Sequence, residues 1–355
     1  MPGRRVKVLV VDDSTVMRQL LAATLSEDPA IEVVGTAPDP LVARDKIKEL
    51  NPDVVTLDVE MPRMDGLTFL RKIMTLRPMP VVMVSTLTQA GTDTTLEALE
   101  IGAVDFVAKP NNEGGALGVL AEELRAKVKM AASTSLSTAR RARAAPVVAP
   151  RPARLGRSTG KVVTIGASTG GVEALKAVLM DLPEDGPPIL ITQHMPEKFT
   201  TAFAARLDRE CPMRVFEAAH DQRVEQGNVY IAPGSHHLEL GKDGLHYICK
   251  LNDGERVSGH KPSVDVLFRS AARVAGSRIV AAILTGMGKD GAEGMLELRR
   301  ANAITIGQDE ASSLVYGMPR VAFERGAVQR QYPLNKIAQA IVEACCGETN
   351  ARRSA

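Results

Sequence analysis

The chain has 355 residues, 45% hydrophobic and 24% charged, with a formal net charge of +2 at pH 7. That is globular composition with material for two cores at ~150 residues per domain, and the 3% aromatic share without Trp argues against nucleic acid as partner. No apolar run reaches the ~20 residues of a membrane helix, the run before Asp12-Asp13 is too short for a signal peptide, and four cysteines without C-x-x-C spacing read as reduced thiols of a cytoplasmic protein.

The first half alternates apolar strands with amphipathic helices. Val6–Val11 is a strand running into Asp12-Asp13-Ser14, and Ser14 suits the N-cap of a helix over 16–25. A second strand is expected at 31–34, and Asp39-Pro40, an N-cap followed by proline, opens a helix to Leu50. Val54–Asp58 and Val81–Ser85 are strands that end on a carboxylate and a hydroxyl, followed by helices over 66–76 and 94–101. A fifth strand, 104–108, precedes Lys109-Pro110, and a final helix covers 116–130. This order predicts a parallel, doubly wound α/β sheet with right-handed crossovers.

The polar residues fall at the C-terminal ends of those strands. Asp12, Asp13 and Asp58 would crowd one edge, and their mutual repulsion asks for a cation; an all-oxygen set suits Mg²⁺. One carboxylate could then attack a phosphoryl group while Ser85 and Lys109 hold the transferred oxygens. Helix capping explains any one of these residues, but not five at successive strand ends.

The set resembles the receiver domain of two-component response regulators, through Val10-Val11-Asp12-Asp13-Ser14, Leu57-Asp58-Val59-Glu60-Met61-Pro62 with Asp65-Gly66, Ser85, and Lys109-Pro110. The resemblance implies that Asp58 accepts phosphate from a histidine kinase, and that Asp12, Asp13, Asp58 and the backbone carbonyl of Glu60 bind Mg²⁺. Phe106 falls at the aromatic switch position, without the hydroxyl that Tyr would supply there.

From Arg125 to Lys161 the chain carries basic residues and no acidic one, with Ala, Ser, Thr and Pro between them. One-sided charge with low hydrophobicity predicts a tether, either a soluble hinge or a basic arm for an acidic surface. The expected division is therefore a receiver domain over 1–127, a flexible basic linker over 128–158, a catalytic domain over 159–347 and a disordered tail over 348–355.

In the second half, strands are expected at 162–165, 189–193, 213–217, 229–232, 279–284 and 304–307, with helices over 199–209, 263–274 and 334–346. His237–Leu240 and Leu245–Cys249, split by Asp243-Gly244, predict an antiparallel excursion. The fold class is again α/β and mainly parallel, and no helix-turn-helix with a basic recognition face is visible.

The stretch Gly166-Ala167-Ser168-Thr169-Gly170-Gly171 follows a β-branched run and enters a helical pattern. By itself it fits a G-x-S-x-G nucleophile elbow, an anion cradle at a helix N-terminus, or a plain capped turn. His194 and Asp290 also follow strands, so all three can meet over one sheet edge, as a nucleophile, its base and an orienting acid require. Their order in the chain differs from the Ser, Asp, His order of α/β-hydrolases. Glycines around Asp290 let the backbone pass close and offer N–H groups to an oxyanion. His220, His236, His237, His246 and His260 compete for the role of base, and His236-His237 lacks the partners of a zinc site.

This half resembles the catalytic domain of the chemotaxis protein-glutamate methylesterases. The resemblance rests on Ile165–Gly171, Gln193-His194-Met195-Pro196, Ala232-Pro233-Gly234 with His237, Pro262-Ser263-Val264-Asp265, and Thr285–Gly291. It implies that Ser168 is the nucleophile, His194 the base and acid, and Asp290 the orienting carboxylate. It also implies the Met287 N–H as oxyanion donor, with Thr169 near the site and His237 lining it.

The implied activity is hydrolysis of glutamate γ-methyl esters on chemoreceptor cytoplasmic helices, with deamidation of receptor glutamines, activated by phosphorylation. The implied partners are those helices and a chemotaxis histidine kinase, without nucleic acid or membrane insertion. The expected molecule is a monomer whose only cofactor is the Mg²⁺ of the receiver, with none in the esterase site. Two other readings stay open: a phospho-regulated serine hydrolase of another protein or small ester, and a non-catalytic receiver-linked adaptor.

Overall fold

A computed structural model describes residues 4–61, 64–86, 88–109, 116–134 and 160–351. The chain divides into two compact units, residues 1–136 and 137–355.

In the first unit the order is β1 (Val6–Val11), α1 (Thr15–Ser26), β2 (Ile31–Ala37), α2 (Pro40–Leu50), β3 (Val54–Asp58), α3 (Gly66–Leu76), β4 (Val81–Ser85), α4 (Gln89–Ile101), β5 (Asp105–Ala108) and α5 (Ala116–Ser133). The strands form one parallel sheet in the order β2-β1-β3-β4-β5. The central strands are buried on both faces, which explains their unbroken apolar runs.

Local capping sets most helix starts. Ser14 Oγ accepts from the Met17 N–H, Asp39 Oδ1 from Leu41 and Val42, and Asp65 Oδ1 from Thr68. Helix α4 starts five residues before the predicted 94, because Thr88 Oγ1 caps the Gly91 N–H. Helix α5 continues to Ser133, so the start of the segment expected to be linker is helical. Val128, Met130 and Ala131 are buried there, and burial overrides the basic composition. The rest of that linker from residue 135, Pro62, Pro110 and the last four residues of the expected tail lie outside the described residues.

The second unit runs β6 (Val162–Ala167), α6 (Gly171–Met180), β7 (Ile189–Gln193), α7 (Glu197–Glu210), β8 (Arg214–Glu217), β9 (Asn228–Ile231), β10 (His237–Asp243), β11 (His246–Asn252), α8 (Val264–Ala275), β12 (Ile279–Ile283), α9 (Ala292–Arg300), β13 (Ile304–Gln308), α10 (Met318–Glu324), β14 (Arg330–Tyr332) and α11 (Leu334–Ala351). Seven strands make a parallel sheet in the order β14-β13-β12-β6-β7-β9-β8. The antiparallel β10–β11 pair stands apart from it as a second sheet.

Three expectations shift here. The hairpin loop is Gly244-Leu245, not Asp243-Gly244, because Asp243 still pairs with His246. Strand β14 is a three-residue edge strand too short to carry a periodic signal. Helix α11 extends to Ala351, so part of the expected disordered tail is helical.

The sheet order sets where polar side chains of the second unit can meet. Strand β6 lies between β7 and β12, although β12 comes more than a hundred residues later in the chain. The chain moves outward from β6 on one side, then returns to its other side. Such a switch point opens a crevice beyond the carboxyl ends of the strands, where ligands bind in open α/β sheets.

Close packing under that crevice depends on Gly166. A Cβ there would lie 2.2 Å from Val264 Cγ1 at the start of α8. Gly166→Ala should therefore push α8 off the sheet and destabilise the chain by about 1–3 kcal/mol, the usual cost of overpacking. Denaturant unfolding of the full chain measures this, and an unchanged midpoint would show that α8 does not pack as described.

Candidate active site

Ser168, His194 and Asp290 leave the carboxyl ends of three neighbouring strands, β6, β7 and β12. The structure brings them together. His194 Nδ1 lies 3.2 Å from Ser168 Oγ, and His194 Nε2 lies 2.8 Å from Asp290 Oδ2. Asp290 is ionised and can only accept, so the Nε2–H donates to it and Nδ1 is left to accept the Ser168 hydroxyl proton. The ring is engaged in the opposite sense to the chymotrypsin template, where Nε2 faces the serine. Either nitrogen can act as base, provided that the other is held.

The carboxylate is buried, and its surroundings explain how its charge is tolerated. Burial works to raise its pKa, but hydrogen bonds from His194, Ser263 and the Val264 amide hold it below the usual carboxylate range. Ser263 Oγ donates to Oδ1 at 2.8 Å, the Val264 N–H to Oδ2 at 2.7 Å, and the Asp265 N–H to Oδ1 at 3.2 Å. These two amides are the first two of α8, so Asp290 sits on the positive end of that helix.

The loop that carries Ser168 is anchored by backbone contacts. The Ser168 N–H donates to the Thr285 carbonyl, and the Gly171 N–H to the Ser168 carbonyl. The Thr285 hydroxyl donates to the Thr169 carbonyl at 3.0 Å, so Thr169, itself buried, links the loop to the segment after β12. That segment passes very close to the serine: a Cβ on Gly286 would lie 2.8 Å from Ser168 Cβ. Met287 follows immediately, and its N–H has no protein acceptor among the described residues. A free donor beside the Ser168 loop is the property an oxyanion site needs.

His237 does not line the site. It is 1% exposed, and both ring nitrogens are engaged behind Asp290. The Ser263 N–H donates to Nδ1 at 3.1 Å, which leaves the Nε2–H to donate to the Glu255 carbonyl at 2.9 Å. Strand β10 begins at His237 and holds its ring in the buried interior.

Two neighbours of the triad were not singled out from the sequence. His260 stacks on His194, with ring centroids 3.7 Å apart and planes 11° from parallel. It sits on a tight turn in which Val257 and His260 exchange both backbone hydrogen bonds. In the sequence it was one of five histidines competing to be the base, with no spacing to set it apart. Gln193 Nε2 donates to the carbonyls of Ser168 and His194, at 2.9 and 3.2 Å, tying the two segments together. Its signal in the sequence is its place in Gln193-His194-Met195-Pro196, which assigns it no role.

In the first unit the acidic residues also converge. One oxygen each from Asp12, Asp13 and Asp58 lie within 4.8 Å of one another, a donor set that suits a hard cation such as Mg²⁺. Lys109 Nζ stands 3.0 Å from Asp12 Oδ2 and 2.8 Å from Asp58 Oδ2. Burial pushes the Asp58 carboxyl up to about 6, against the lowering effect of Lys109 and with Asp12 adding to the rise. Burial works against the Lys109 ammonium, yet the carboxylates of Asp58 and Asp12 together hold it above its ordinary value. The Glu60 N–H donates to Asp58 Oδ1 at 3.3 Å and folds the following loop over the carboxylate.

Ser85 ends β4, but its hydroxyl is engaged by α4: Oγ lies 2.7 Å from Thr95 Oγ1 and 3.2 Å from the Gly91 carbonyl. Phe106 is buried, with the Lys127 ammonium 5.2 Å from its ring centroid and bonded to its carbonyl at 2.6 Å.

Fold and geometry together define a class: a response-regulator receiver joined in one chain to an α/β domain with a serine-hydrolase arrangement of residues. Residues 8–118 match the response regulator receiver domain, and residues 163–341 match the CheB methylesterase family. A protein-glutamate methylesterase/protein-glutamine glutaminase of Caulobacter vibrioides is 57% identical, covering 96% of this chain and 98% of its own length. One from Nitrosomonas europaea is 51% identical, covering 97% and 98%. The CheB methylesterase catalytic domain of Thermotoga maritima is 37% identical with a TM-score of 0.51, over 52% of this chain and 98% of that structure. The chain belongs to the protein-glutamate methylesterase/protein-glutamine glutaminase family.

The raised Asp58 pKa has a testable consequence. A carboxyl raised in the folded state contributes stability below its unfolded pKa, and that contribution is lost as pH rises through about 6. Mg²⁺ needs the ionised form, so its binding should weaken about tenfold for each pH unit below that value. The rise in unfolding temperature on adding Mg²⁺ should therefore be larger at pH 7 than at pH 5. An equal rise at both would place the ion elsewhere.

Proposed function

We propose that the chain is a phosphorylation-activated esterase that hydrolyses glutamyl γ-methyl esters on chemoreceptor cytoplasmic helices, releasing methanol, and deamidates receptor glutamines, releasing ammonia. The observation that carries this reading is the hydrogen-bonded series Ser168, His194, Asp290 at three adjacent strand ends. Full-length relatives more than half identical, named for that activity, support the substrate.

In the proposed mechanism Ser168 Oγ attacks the ester carbonyl as its proton passes to His194 Nδ1. The imidazolium is stabilised through Nε2–H by Asp290, whose charge is already fixed by α8. The carbonyl oxygen becomes an oxyanion and takes a hydrogen bond from the Met287 N–H. As the tetrahedral intermediate collapses, His194 returns the proton to the departing methoxide, and methanol leaves. A water then gives its proton to His194 and attacks the acyl-serine; as the bond to Ser168 Oγ breaks, His194 returns that proton to Oγ and the glutamate carboxylate is freed. With a glutamine substrate the leaving group is ammonia. Thr169 and His237 take no proton in this scheme; they hold the surrounding segments in place.

Control comes from the receiver. Asp58 is the phosphoacceptor, with phosphate supplied by a chemotaxis histidine kinase. Mg²⁺, held by Asp12, Asp13, Asp58 and the Glu60 carbonyl, would offset the charge of the transferred phosphoryl group. Lys109 and Ser85 contact the phosphoryl oxygens, and for Ser85 this means leaving its partners on α4. Phe106, at the aromatic switch position, has no hydroxyl to bond. The protein works as a cytoplasmic monomer, and no described helix is long and apolar enough to cross a membrane.

Methanol release from methylated receptors tests the chemistry. Ser168→Ala should lower the rate by at least roughly a thousandfold, as removal of a triad nucleophile does elsewhere. Activity near that of the unaltered protein would exclude Ser168 as the nucleophile.

A further inference from the structure

Ser263 stands at the N-cap of α8, yet it does not cap the helix with its own side chain. At that position a serine normally accepts a hydrogen bond from an amide of the first turn. Here the hydroxyl instead donates to Asp290 Oδ1 at 2.8 Å, and the Asp290 carboxylate accepts the Val264 and Asp265 amides. The helix is capped by a residue from another strand end, and the serine has become a donor to it. Ser263 is fully buried. Its backbone is fixed by His237 Nδ1, itself held through Nε2–H by the Glu255 carbonyl.

We propose that Ser263 is a positioning residue for the esterase reaction: its hydroxyl, carried on a backbone that His237 holds, sets the basicity of Asp290 and through it that of His194. The inference rests on reading Ser168, His194 and Asp290 as a catalytic triad. The physical step is electrostatic. Each donor to a carboxylate stabilises its charge and reduces what it offers to its other partner. Asp290 divides itself between three donors of the α8 start and the His194 ring. Removing the Ser263 donor leaves a more basic carboxylate, which favours the imidazolium form of His194.

Other charged groups around the pair stay unchanged by that substitution. His260 stacks on the His194 ring, and Lys289 precedes Asp290 on the exposed loop. Asp265 lies behind Asp290, accepting the Gly294 N–H at 2.7 Å with Arg269 at 4.0 Å. Ser263 is thus a point where one hydrogen bond can be removed without altering the local charge.

The test is the rate at which a fluorophosphonate probe labels Ser168 across pH, using the full chain. In the unaltered protein labelling should fall on the acid side as His194 takes a proton. In Ser263→Ala that acid limb should move up by about half a pH unit, slowing labelling on the acid side about threefold relative to the variant's own plateau. Ser263→Thr, which keeps the hydroxyl, should return the limb to its original place. A lowered plateau with an unmoved limb would show a purely structural role and overturn the inference, as would an equal displacement in both variants. An unaltered protein not labelled at Ser168 would instead overturn the triad reading, and this inference with it.

Discussion

The catalytic unit depends on one buried carboxylate being kept charged. An isolated buried ion loses several kcal/mol of hydration, roughly, and would respond by taking a proton. Asp290 avoids that by lying on the first two amides of α8 and accepting Ser263 and His194 as well. The same contact locks α8 against the loop after β12, and Gly166 lets the helix approach closely enough to make it. Charge, helix placement and imidazole orientation are therefore one problem with one solution. The His194 ring, the Ser263 hydroxyl and the Val264 amide together hold the carboxyl below its ordinary range against burial, and a charged carboxylate can stabilise an imidazolium.

The two units apply the same architectural rule to different chemistry. Each is a parallel sheet with its core strands buried on both faces, so polar side chains can be exposed only where strands end. In the receiver the ends of β1, β3 and β5 lead to Asp12, Asp58 and Lys109, held in a charged cluster by direct ion pairs. In the catalytic unit β6, β7 and β12 lead to the serine, histidine and aspartate. Strands β7 and β12 flank β6 on opposite sides, so the histidine and the aspartate reach the serine from its two neighbouring strands.

Much of this was legible in the sequence because strand ends are legible. A β-branched run that stops at Gly166 or at Asp58 marks both the element and the chemistry at its tip. Apolar periodicity also located nearly every helix, but side-chain burial extended α5 beyond the point where basic composition suggested a tether. What stayed hidden depends on three-dimensional approach between distant segments. His237 sits in a motif shared with the family, yet β10 turns it inward to hold Ser263. His260 meets His194 only because a tight turn folds over the site, and Gln193 acts through backbone carbonyls that no residue pattern reveals. The sense in which His194 is engaged could not be read from spacing, since both nitrogens are chemically able to serve.

The central claim is that a phosphoryl group on Asp58 controls hydrolysis at Ser168. Its most direct test is methanol release from methylated receptors by the unaltered protein and by Asp58→Asn, each with and without a small-molecule phosphodonor. The account predicts that the donor raises the rate of the unaltered protein and leaves Asp58→Asn at its basal rate. Equal stimulation of both would contradict it.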